Sequence, residues 1–162
     1  MAVIAPLCKY KKTNYKIYML MLIAFAIIFA YDGFLSKYKW SKRYSFYVKH
    51  VINNNNKPDH TMLAHQYGPP LMFIGAIAVA AYFWRIKDKK LVAEEVELVF
   101  SEKDKIPYSS IESVNKTNFE TKGFFIIEYK LPNGQKSQRK ISDRTYDNLN
   151  AVLEIIVSKI TG

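Results

Sequence analysis

Two apolar runs, each fenced by lysine and arginine, lie in the first half of this chain, and nothing like them occurs in the second half. They cover residues 17–35 and about 67–86. At about 1.5 Å of rise per residue, each is just long enough to cross a hydrocarbon core of ~30 Å as a helix. Such a pair constrains the rest of the chain to a small water-facing domain held at a membrane by a helical hairpin.

The charge follows the same division. The chain carries 24 Lys+Arg against 14 Asp+Glu, a net charge of +10. Residues 1–90 hold 14 basic and 3 acidic side chains, whereas residues 91–162 hold 10 and 11. A basic chain ordinarily suggests nucleic acid. Here the cations flank apolar spans, where they meet anionic headgroups and set topology, so no nucleic-acid partner is expected. About 70 residues remain for a single small core. The one cysteine, Cys8, excludes an intrachain disulfide. The residues before it do not form a lipoprotein box, and it is expected to be inert.

The first run has neither charge nor helix breaker over residues 17–31. A cleaved signal peptide would need a small residue at position −3 of a site near Ala30. Ile28 stands there, which favours an uncleaved anchor. The second run opens on Gly68, Pro69 and Pro70, and proline suits only a first helical turn. Small residues follow at Gly75, Ala76, Ala78, Ala80 and Ala81, a composition that lets membrane helices approach closely. Tyr82, Phe83 and Trp84, then Arg85, Lys87, Lys89 and Lys90, read as an interfacial belt with its cationic flank. Two spans put both termini on one side. Eight flanking cations outside the hairpin against six in its loop favour both termini in the cytoplasm.

Between the spans, Trp40, Tyr44, Tyr47, Val48 and Val51 recur at helical spacing. Ser41 is a candidate cap, and four asparagines at 53–56 with Pro58 end the pattern. A short amphipathic helix over about 41–53 results, lying in the membrane interface or on a partner subunit. The membrane-interface residues expected from these patterns are Trp40, Tyr44, Tyr47, Trp84, Arg85 and Lys87. His50, His60 and His65 share the loop, but their spacing matches no metal-site pattern. They are expected to be solvated, with no metal and no cofactor.

After Lys90 the period changes from helix to strand. Val96, Leu98 and Phe100 alternate with polar neighbours. Residues 106–119 read as a bent strand, residues 124–131 as the strongest strand, and residues 138–141 as its return. Asn133 and Gly134 make the turn between the last two, because Asn-Gly tolerates positive φ. Tyr146, Leu149, Leu153, Ile156 and Ile160 step by three and four, one apolar stripe of a terminal helix capped by Ser142 or Asp143.

Antiparallel strands closed by one C-terminal amphipathic helix resemble the pleckstrin-homology-like architecture. The segment from Lys105 to Val114, with Ile106, Pro107, Tyr108, Ile111 and Val114 in an I-P-y-x-x-I-x-x-V pattern, is similar to one common in bacterial domains of that family. The resemblance covers residues 91–162 and implies about seven strands, of which four or five are visible here. It implies an α+β fold: two transmembrane helices (residues 1–90), then a small PH-like antiparallel sheet or barrel (residues 91–162) capped by a helix, in a bacterial inner membrane.

No phosphate loop, nucleophile elbow, H-E-x-x-H or C-x-x-C motif occurs, and residues 91–162 contain no His or Cys. The expectation is a non-enzymatic, membrane-anchored interaction or scaffold protein. Its partners would be the bilayer and a protein, or a second copy, with no small-molecule substrate. The alternatives are an anionic-lipid-sensing module, for which Lys136, Arg139 and Lys140 form the candidate basic patch, and an accessory subunit of a larger membrane complex.

Overall fold

The chain alternates short strands with two long helices that have no polar face. The computed structural model describes residues 2–161. In chain order it contains β1 (Val3–Pro6), α1 (Lys9–Ala30) running into a π-helical turn (Tyr31–Leu35), α2 (Tyr44–His50) and α3 (His60–Ile86). Then come β2 (Lys90–Ala93), β3 (Glu97–Ser101), β4 (Asp104–Pro107), β5 (Ile111–Asn115), α4 (Phe119–Lys122), β6 (Phe124–Lys130), β7 (Lys136–Ser142) and α5 (Leu149–Thr161). Two units form: Asn14–Phe83, and Met1–Thr13 together with Trp84–Gly162.

In the first unit, Lys9–Leu35 and His60–Ile86 are each 27 residues long and apolar enough to cross a membrane. Only 11% and 17% of their apolar windows are buried within the protein. A core helix of a water-soluble domain hides its apolar residues; these leave Leu20, Ile27, Ile74 and Ile77 exposed. Where α1 and α3 meet, the contacts use small residues: Ala26 and Ala76 are buried, Gly75 faces Leu22 and Gly68 faces Phe29.

The second helix begins at His60, not at 67, so Pro69 and Pro70 lie inside it. Asp59 makes the earlier start favourable. Its Oδ1 accepts the Met62 amide at 2.9 Å, satisfying a donor of the first turn. Proline at 69 has no N–H for the carbonyl of His65 four residues back. Gly33 lies against that same carbonyl, and a Cβ at 33 would overlap its oxygen. The freed acceptor thus faces a close approach of the two segments, where glycine's hydrogen stands in place of a side chain.

The second unit holds a four-stranded sheet, order β1-β2-β3-β4, and a three-stranded sheet, order β5-β6-β7, all antiparallel. No ladder joins the two sheets among the described residues. Leu91, Leu98, Ile106, Phe125, Ile127 and Ile141 point into one core, and α5 covers it with Leu149, Val152, Leu153 and Ile156. The strand β1 enters this unit from before the hairpin, pairing Val3 with Ala93 and Pro6 with Lys90. Its far side is met by residues 145–147: Thr145 O accepts from Cys8 N and Pro6 O from Asp147 N, both at 2.9 Å. That covers an edge otherwise open to another chain.

Several local expectations change. Residues 106–119 are not one bent strand: β4 ends at Pro107, a tight turn spans Tyr108–Ser110, β5 begins the other sheet, and the chain then leaves it for α4, which Gly123 at φ 67° ends. Val96 does not join the alternating face; it is 71% exposed in the turn before β3. Tyr146 is not on the terminal helix, which starts at Leu149, after Asn148 at φ 61°. It forms an isolated bridge with Leu7. Five residues, 131–135, separate β6 from β7, with positive φ at Gly134 alone, and the Asn133 side chain accepts the Gln135 amide.

Candidate functional site

The polar residues of the membrane-type unit converge where α1 gives way to the connecting segment. The π-helical turn at Tyr31–Leu35 carries Asp32, which is 4% exposed. A carboxylate so placed needs compensation. Arg43 supplies it as a fork, Nε to Oδ1 and Nη2 to Oδ2, both at 2.8 Å. The Ser36 hydroxyl donates to the Asp32 carbonyl. Buried Ser41 donates to the Tyr31 hydroxyl and accepts the Arg43 amide, both at 3.2 Å. Ser41 therefore belongs to this network and does not cap α2, whose N-cap position is Arg43.

Two of the three histidines join the cluster, contrary to the expectation that all would be solvated. The His65 ring stacks on Phe29 at 4.2 Å, and its Nδ1 lies 2.8 Å from the Thr61 carbonyl. A carbonyl only accepts, so Nδ1 carries the proton and Nε2 faces Asp32 Oδ2 at 3.9 Å. His50 Nδ1 sits 2.7 Å from Asp59 Oδ2. That bond, with the Met62 amide, holds the Asp59 carboxyl below its ordinary range. His60 is exposed. Among the described residues no group of His, Cys, Asp and Glu is arranged to hold a metal ion.

The expected interface residues are scattered. Trp40 precedes α2 rather than lying on it; it is 69% exposed and stacks on Tyr38 with centroids 5.6 Å apart. Tyr44 and Tyr47 lie on α2, partly buried, with rings 6.3 Å apart. Trp84 is exposed near the end of α3 beneath the Lys87 ammonium, 3.9 Å from the ring centroid, and Arg85 is exposed beside it.

The candidate patch on β7 does not form a single surface. Strand alternation sends Lys136 and Lys140 to one face and Arg139 to the other. Lys136 pairs with Glu112 at 2.7 Å. Arg139 forks onto Asp104 at 2.8 Å and lies over the Phe100 ring. That ion pair ties β7 to β4, across the two sheets. Lys140 covers the Phe124 ring at 3.7 Å. The carboxylate pairs at Lys136 and Arg139 spend those two charges internally, whereas Lys140 stays exposed over its ring.

Beside α5 runs a groove of about 610 Å³, lined by Phe119, Leu153 and Val157 and rimmed by Lys116, Glu120 and Glu154. It exists because residues 119–122 turn into α4 instead of continuing the strand. Period-based reading placed Phe119 in a strand and so missed it. Elsewhere in the unit, Tyr108 donates to the Glu94 carbonyl at 3.1 Å, and burial pushes its hydroxyl up to about 12.

Comparison of the chain with protein-family models, with curated proteins and with solved structures returns no match.

Proposed function

We propose that this chain is a membrane-anchored, non-enzymatic interaction protein: a helical hairpin in the bilayer carrying a PH-like domain that docks a protein partner or a second copy. The groove beside α5 is the observation that carries this reading. Its apolar floor and its rim of both charge signs suit a peptide or helix of mixed character. A PH-like assignment is supported by seven antiparallel strands split four and three and followed by a terminal helix. The resemblance further suggests a bacterial inner membrane, and the balance of flanking charge suggests cytoplasmic termini. Lipid sensing by β7 is disfavoured, since Lys136 and Arg139 already hold carboxylates.

The test is site-specific photo-crosslinking from position 157 of the full chain in its native membrane, with position 138 on β7 as the control. A discrete adduct from 157 alone, whether a partner or a dimer, is expected. Equal labelling from both positions, or none, would remove the groove as a docking surface. An adduct from the α2 segment instead would favour an accessory subunit.

A further inference from the structure

We infer that the segment joining α1 to α2 is a binding surface for anionic phospholipid headgroups, with Lys37, Lys39 and Lys42 as the cations and Trp40 as the interfacial anchor. The inference rests on the reading that α1 and α3 cross a bilayer.

It begins with a charge count. The unit Asn14–Phe83 contains two carboxylates, Asp32 and Asp59. Both are already engaged, Asp32 by Arg43 and Asp59 by His50. Lys37, Lys39 and Lys42 are exposed and have no carboxylate partner among the described residues. Within the run Lys37-Tyr38-Lys39-Trp40-Ser41-Lys42, cations alternate with aromatic and polar residues, and Ser41 turns inward to the network. Tyr38 and Trp40 stack nearly parallel, at 11°, with both rings exposed. Lys37 sits over the Tyr38 ring at 5.2 Å.

The place of this run in the chain turns charge into specificity. It begins one residue beyond Leu35, the last residue of the first apolar span, with buried Ser36 between them. Exposed Phe34 and Leu35 precede it. A tryptophan at the end of a span sits at headgroup depth. Lysines on either side of it then lie at the height of lipid phosphates, where each adds about fivefold to affinity for an anionic surface. Arg43 contributes differently. Its fork on Asp32 fixes the turn that presents the run, so it positions the lysines and leaves the binding to them.

The experiment uses the full chain with Trp84→Phe, which leaves Trp40 as the sole tryptophan. The protein is placed in nanodiscs of phosphatidylcholine containing equal fractions of brominated phosphatidylglycerol or brominated phosphatidylcholine. Quenching of Trp40 several-fold stronger by the brominated anionic lipid is expected. That preference should weaken with salt and be lost in K37Q/K39Q/K42Q. Equal quenching by both lipids would overturn the inference while leaving the membrane reading intact. Quenching by neither would place Trp40 outside the bilayer interface and overturn both. A preference that survives the triple substitution would refute the assignment to these lysines. Equal lipid quenching with a fluorescence change on adding polyglutamate would assign the surface to an acidic protein and likewise overturn it.

Discussion

Two glycines with positive φ separate backbone strain from steric overlap. Gly134, at φ 81°, has nothing within 4 Å of the place a Cβ would take. Gly134→Ala is expected to cost about 1 kcal/mol, the penalty for left-handed backbone alone. Gly123, at φ 67°, ends α4, and a Cβ there would overlap the Asp143 carboxylate. The Asp143 amide bonds the Gly123 carbonyl at 2.9 Å, which holds the backbone, so an added Cβ is accommodated by rotation of the exposed Asp143 side chain. Gly123→Ala is therefore expected to cost about 1–2 kcal/mol, the backbone penalty plus the turning of that side chain. Urea unfolding of the two variants side by side reads the difference. Equal losses would show that Asp143 moves aside freely.

At the level of elements, the hairpin depends on one close approach and one ion pair. Gly33 lets α1 meet α3 at the carbonyl that Pro69 leaves without its helical donor, and Gln66 donates to the Gly33 carbonyl at 3.3 Å. Gly33→Ala is expected to push the helices apart and cost about 1–3 kcal/mol, as overpacking does. Arg43→Ala is expected to cost on the order of 2 kcal/mol, because it leaves the buried Asp32 carboxylate unpaired. The full cost of breaking a deeply buried pair is not reached, since the Arg43 side chain is 52% exposed. Thermal unfolding in detergent measures both. An Arg43→Ala protein as stable as the parent would mean that water already reaches Asp32.

At the level of the whole molecule, the strand-containing unit is not a continuous stretch of sequence. With β1 supplied from before α1, residues 91–162 alone would leave Ala93 and Leu91 without the strand that pairs with them. That piece is expected to be unfolded or aggregated. Residues 1–13 joined to 84–162 by a flexible Gly/Ser linker are expected to fold in water, with strand-type circular dichroism and one cooperative transition. A well-folded 91–162 would show β1 to be dispensable. The linked form also isolates an acid dependence. Glu112 bonds Lys130 and Lys136, each at 2.7 Å, and the two ammoniums hold its carboxyl below the ordinary 4.5. A depressed folded value stabilises the fold above pH 4.5, and the contribution is lost as pH falls through that depressed value. Unfolding midpoints followed downward from neutral pH should therefore fall less steeply in Glu112→Gln than in the parent.

The sequence by itself determined what periodicity and charge can encode locally. Two helices of membrane length, β6 with its return β7 and the apolar stripe of α5 were all legible, because each is written within a few consecutive turns or strand repeats. Partners far apart in the chain were not. The strand at Val3–Pro6 is too short to carry an alternation of its own, and its partner Lys90–Ala93 lies beyond the hairpin. The start of α3 was hidden because Pro69 and Pro70 read as an entry, while the real start is set by Asp59 closing on Met62 and held by His50. Nothing next to Asp32 in sequence announces that Arg43, eleven residues on, forks onto it. The Asp59–Met62 cap is local, but β1 with β2, His50 with Asp59 and Asp32 with Arg43 are contacts whose two halves are separated in sequence, and only the tertiary structure brings them together.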